Sequence, residues 1–137
     1  MPQRAQAQVN CRVLPNDSLE EVERRLISVV ADDQIKITRG FEPTVSPLPP
    51  LNPELVRVVE EVTAELWRGV PVVPTLFVAA TDGRYLNKAG IPTYGVTGLF
   101  RDPDGSGIHG LNERIRVRSL YEGHEFLYRV VKRLGSQ

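Results

Sequence analysis

Two histidines, an acid- and glycine-rich stretch and a few separated arginines are the groups in this sequence best suited to chemistry. His109 stands between Ile108 and Gly110, with Asn112 and Glu113 just beyond. An imidazole on such backbone can offer a nitrogen to a metal or move a proton, and a carboxylate as near as Glu113 can orient it. A solvated loop histidine has the same spacing, so the residues alone leave both readings open. In ATDGRY, Gly83 lets backbone approach a ligand and Arg84 offers a planar fork to a carboxylate. Equally, Thr81 and Asp82 can cap a following helix and leave Arg84 on the surface. Arg12 alternates with Cys11 and Val13, so it points away from an apolar strand face, and His124 beside Glu125 reads as a helix-surface residue. RDPDGSG lacks the acidic order and closing glutamate of a calcium loop and reads as a turn. The sequence has no P-loop, GxGxxG, GxSxG, HExxH or CxxC.

The elements that must position these residues follow from apolar spacing. Ala7 to Leu14 alternates as a half-buried strand does and stops at Pro15. Ser18 and Glu21 have capping-box spacing, and Leu19, Val22, Leu26, Val29 and Val30 recur at helical intervals. QIKITR, residues 34–39, alternates again, which completes a strand-helix-strand layer with an uncovered edge and face. Prolines 43, 47, 49, 50 and 53 then remove donors and fix φ, making residues 43–53 a linker. Asn52 and Pro53 open a second helix with Leu55, Val58, Val59, Val62 and Leu66 on one face, closed by Trp67, Arg68 and Gly69. PVVPTLFVAA reads as a strand covered on both faces. A short helix over DGRYLNKAG and a strand at IPTYGV follow, with the polar turn at the strand's C-terminal end, where open α/β sheets bind ligands. Residues 97–112 form a sixteen-residue loop with four glycines. Ser119 and Glu122 form a further capping-box pair before a helical stripe of Phe126, Leu127, Val130, Val131 and Leu134.

Composition bounds the function classes. Seventeen basic residues against seventeen acidic ones give no net charge over 137 residues, which argues against electrostatic nucleic-acid binding. One cysteine excludes an internal disulfide and a multi-thiolate metal site. No apolar run approaches the roughly 20 residues that span a bilayer, and the first ten residues lack a signal peptide's apolar core. Compartment is not legible in the sequence.

The segments ATDGRYLNKAGIPTYGVTGLF, HGLNERIRV and SLYEGHEFLYRVV, in that order, resemble the C-terminal part of the M20 metallopeptidases, a family that includes aminoacylase, acetylornithine deacetylase and glutamate carboxypeptidase-like enzymes. VNCRVLPNDSLEEVERRL resembles the second half of that family's lid, or dimerisation, domain. The resemblance implies an α/β fold class: half of a ferredoxin-like lid over residues 1–45, then the C-terminal part of a zinc-peptidase catalytic domain over residues 46–137. It implies hydrolysis of amide bonds in peptides or N-acyl amino acids by metal-activated water, with one or two zinc ions and a glutamate base. On that pattern His109 corresponds to the last zinc ligand and Arg12 to the lid arginine that grips a substrate carboxylate. Thr81, Asp82, Gly83 and Arg84 fall on the substrate-side turn, with Glu113 behind the metal ligand. A homo-oligomer through the lid region is expected, with neither nucleic acid nor membrane as partner.

The family's HxD segment, bridging aspartate, paired glutamates and further carboxylate ligand are not found in this sequence. One imidazole cannot hold a catalytic zinc, which takes three protein ligands and an open position. The expectation is a chain that does not hydrolyse amides alone. Met1-Pro2 falls where the family carries the proline of an NVIP-like segment, so Met1 reads as an internal methionine of a longer enzyme. The alternative is a non-catalytic module that keeps a carboxylate site at Arg12 or Arg84 and docks on another chain.

Overall fold

A computed structural model describes residues 3–15, 17–41, 43–77, 79–103 and 105–136. Met1 and Pro2, on which the reading of the chain start rests, lie outside these, as do Val78 of the expected covered strand and Asp104 of RDPDGSG. Among the described residues there are four helices, α1 (Leu19–Val30), α2 (Pro53–Leu66), α3 (Gly83–Lys88) and α4 (Val117–Gly135), and no strand. The described residues of the segments read as strands, 7–14, 34–39, 71–80 and 91–96, carry no ladder. A strand's donors and acceptors are satisfied only by a neighbouring strand, and no described segment supplies one. The chain divides into two compact units, Met1–Pro49 with Leu76–Thr93, and Pro50–Thr75 with Tyr94–Gln137.

In the first unit, Ser18 caps α1 by accepting from the Glu21 N–H at 3.0 Å. The Glu21 carboxylate does not reach back, as the capping-box pattern predicts, but pairs with Arg24 one turn on. Leu19, Val22 and Leu26 are half-buried, whereas Val29 and Val30 are exposed. Arg39 reaches Glu20 at 3.1 Å and Glu23 at 2.9 Å, which ties residues 34–39 to α1 by charge. Helix α3 ends in a Schellman motif. Ile91 N–H donates to Leu86 O at 2.9 Å and Gly90 N–H to Asn87 O at 3.0 Å, with Gly90 at φ 82°. Asn87 then fixes the departing chain, its Oδ1 accepting from Thr93 N–H at 2.7 Å.

In the second unit, Asn52 Oδ1 accepts from the N–H groups of Glu54 and Leu55 at 2.9 and 3.2 Å, and Pro53 occupies the first turn, as its spacing predicts. Val58, Val59 and Val62 of α2 bury against Phe126 and Val130 of α4. Trp67 closes this core, edge-on to Phe100 with ring centroids 4.8 Å apart. Arg129 and Arg133 of α4 reach Glu65 of α2 at its rim. Helix α4 begins two residues before the expected cap. The hydroxyl of Ser119 is buried and donates to Phe100 O at 3.1 Å, while Glu122 pairs with Arg118 at 2.7 Å, so neither side chain is available to cap.

Candidate functional site

The loop before α4 is built from short-range turns. Gly105 N–H donates to Asp102 O at 2.9 Å, Gly110 N–H to Gly107 O at 2.7 Å and Glu113 N–H to Gly110 O at 3.3 Å. Arg114 N–H donates to Ser106 O at 2.9 Å and joins the two limbs of the loop. Gly107 has φ 63°, and a Cβ there would meet Asn112 O at 3.0 Å, so glycine is required by both conformation and space. His109 itself has φ 65°, a left-handed conformation that costs a non-glycine residue free energy and marks positions held by their surroundings.

His109 is exposed at the tip of this loop. Glu113 meets it, but through the main chain: the His109 N–H donates to Glu113 Oε2 at 3.4 Å. The carboxylate therefore steadies the turn that carries the imidazole. No group of three or more His, Cys, Asp or Glu side chains among the described residues is placed to hold a metal ion. Asp102, a carboxylate of the RDPDGSG stretch, faces Arg116 and lies 3.9 Å from Arg114 Nε. At this turn the described residues bring one exposed imidazole and the Glu113 carboxylate, fewer than the three protein ligands that a catalytic zinc takes.

The other sequence-derived candidates lie in the first unit. Arg12 is exposed and has no ion-pair partner among the described residues. Thr81 O accepts from Arg84 N–H at 3.2 Å and Asp82 O from Tyr85 N–H at 3.0 Å, so both open α3 with their carbonyls. The side chain of Asp82 makes no capping bond, a correction to the cap expected there: Asp82 already has helical backbone angles, φ −64° and ψ −19°. A Cβ on Gly83 would meet Thr93 Cγ2 at 3.2 Å, so this glycine serves close packing. Arg84 donates to Tyr85 Oη at 2.7 Å and lays its guanidinium 4.7 Å from the centre of that ring.

Arg12 and residues 81–84 therefore belong to one unit, and His109 and Glu113 to the other. Sequence reasoning missed Asp102, Arg114 and Arg116, whose opposite charges flank the loop; that charge contrast was the available signal. It also missed a depression of about 310 Å³ lined by Trp67, Phe100, Arg116, Arg118 and Glu122. There Arg118 first, and the Trp67 side chain after it, holds the Glu122 carboxyl below the usual range. His124 is exposed on α4. No helix among the described residues is long and apolar enough to cross a membrane.

With this geometry in place, comparison with known proteins identifies the class. The model of the Peptidase family M20/M25/M40 matches residues 3–133, and the chain belongs to that family. It is 30% identical to the N-fatty-acyl-amino acid synthase/hydrolase PM20D1 of Mus musculus over 138 residues, which covers 96% of this chain and 27% of that protein. It is 29% identical to the Homo sapiens protein of the same name, with the same two coverages. The "Probable carboxypeptidase S-like 2" of Dictyostelium discoideum is 26% identical, over 96% of this chain and 26% of its own length. The chain thus spans about a quarter of the length of these relatives. No solved structure matches it significantly.

Proposed function

We propose that this chain is the C-terminal part of an M20 zinc amidohydrolase, contributing one metal ligand and part of the substrate site to a centre it does not complete. The carrying observation is His109, held exposed and left-handed in a glycine-built turn, within a chain whose family match runs over residues 3–133. His109 is the residue that would face the zinc, and Glu113 steadies its backbone from behind. Arg12 and Arg84 are the cations for a substrate carboxylate, with Thr81, Asp82 and Gly83 shaping the adjoining turn. The names of the relatives point to N-acyl amino acids or C-terminal peptide bonds as substrates. The bound metal would supply an activated water; the remaining ligands and the general base would come from the rest of an M20 fold.

Residues 1–45 then serve as half of a lid, and the segments without ladders are α/β strands that pair in the presence of the missing part. A homo-oligomer through the lid half covers some of the exposed apolar surface, which includes Val29, Ile35 and Phe41. Zinc titration of the purified chain tests this reading. Weak binding that perturbs the His109 imidazole and vanishes in His109→Ala supports it; a tight site that survives that substitution contradicts it. A second reading, a non-catalytic module docking on another chain, is favoured by Arg12, which is exposed and has no ion-pair partner among the described residues. Carboxylate-terminated peptides that bind without metal and lose affinity in Arg12→Ala would establish that reading.

A further inference from the structure

The loop that carries His109 is fastened by charge at its base. Asp102 opens the loop and Arg114 and Arg116 end it, and the side chain of Asp102 is 16% exposed against 48% and 58% for the two arginines. A carboxylate withdrawn from water to this degree is stabilised by cations placed beside it. Arg116 is also the residue immediately before α4, so the carboxylate is joined to the N-terminal end of a helix whose other face forms the core. Between these ends the Arg114 N–H to Ser106 O bond closes the limbs, and His109 and Glu113 meet at the tip. Three glycines between Asp102 and Arg114, at 105, 107 and 110, give the unfastened loop many conformations. One left-handed histidine among them needs an outside constraint.

We infer that Asp102 is a positioning residue: by clasping Arg114 and Arg116 it fixes the loop base and, through the closed limbs, the left-handed turn at His109. The inference rests on the reading of His109 as the functional group of this loop, and its test uses no zinc, so its failure is separate from that of the zinc titration. The test is nuclear magnetic resonance on the full chain, comparing wild type, Asp102→Asn, Asp102→Glu, Arg116→Gln and the charge swap Asp102→Arg with Arg116→Asp. Two signals report the loop. One is hydrogen exchange of the Arg114 amide, and the other is the strong intraresidue contact between amide proton and Hα that a positive φ gives His109.

In Asp102→Asn, Arg114 exchange is expected to rise about tenfold or more, with loss of the His109 signature, while the Val62 and Phe126 amides keep their wild-type rates. Arg116→Gln should give a smaller change in the same direction, and Asp102→Glu and the charge swap should restore part of both signals. Two results would overturn the inference. One is wild-type exchange at Arg114 and an unchanged His109 in both Asp102→Asn and Arg116→Gln; the other is a loosening of Val62 and Phe126 equal to that of Arg114, which makes Asp102 a general stability residue.

Discussion

Gly98 lies against the root of Phe126: a Cβ on Gly98 would come 2.8 Å from Phe126 Cβ and 2.8 Å from Trp67 Cη2. Gly123 of α4 makes the reciprocal accommodation, since a Cβ there would come 2.5 Å from Leu99 Cδ2. The chain entering the His109 loop therefore crosses α4 at a pair of glycines, within the second unit. Gly98→Ala should destabilise the α2–α4 core by about 1–3 kcal/mol, because neither the Cβ of Phe126 nor the Trp67 ring can swing clear of a new methyl group. Urea unfolding followed by Trp67 fluorescence measures it, and an unchanged midpoint would show that the crossing is looser than described.

Phe126 is the largest side chain in that core and is 2% exposed. Phe126→Ala should cost about 3–5 kcal/mol, a loss of transfer free energy plus an unfilled cavity beneath Trp67. The same urea titration reads it, and a cost under about 1 kcal/mol would mean that the site collapses onto α2.

At the rim of the same helix pair, Arg133 first and Arg129 after it hold the Glu65 carboxyl below the usual carboxylate range. A depressed folded value contributes stability that is present above the unfolded value and is lost as pH falls through the folded one. The melting temperature should therefore fall as pH is lowered through and below the ordinary glutamate range, less steeply in Glu65→Gln than in wild type, and less steeply again in high salt. Thermal melts at successive pH values check this; parallel acid profiles for wild type and Glu65→Gln would remove Glu65 from the account.

Asn87 holds Thr93 by both its amide groups, Oδ1 accepting from the Thr93 N–H at 2.7 Å and Nδ2 donating to Thr93 O at 3.4 Å. The pair seats Thr93 against Gly83 at the start of α3. Asn87→Ala should weaken this corner by about 1–2 kcal/mol. Faster exchange of the Thr93 amide, with the α2 amides unaffected, is the expected result; equal protection in both proteins would contradict it.

The parts legible in the sequence are those whose physics is local. Asn52 followed by Pro53 carries its own capping chemistry, and the stripe through Val58, Val59 and Val62 states which face is buried, so α2 appears with its predicted ends. The start of α4 was not legible because Ser119 spends its hydroxyl on Phe100, nineteen positions away, and nothing in the local sequence says so. The expected strands depend on neighbours even further removed, since a ladder is a property of two segments. At the candidate site, Gly107 and Gly110 announce a special turn around His109. The Asp102–Arg116 clasp joins residues separated by fourteen positions, and only their opposite charges hinted at it.

Whether this chain completes an amide-hydrolysing centre is the central question for its function. The most direct measurement is hydrolysis of an N-acyl amino acid by the purified 137-residue chain in the presence of zinc. The predicted result is no turnover above the zinc-only control. Turnover that disappears with a chelator and in His109→Ala would contradict the account, because it would mean that the chain supplies the missing ligands and base from its own residues.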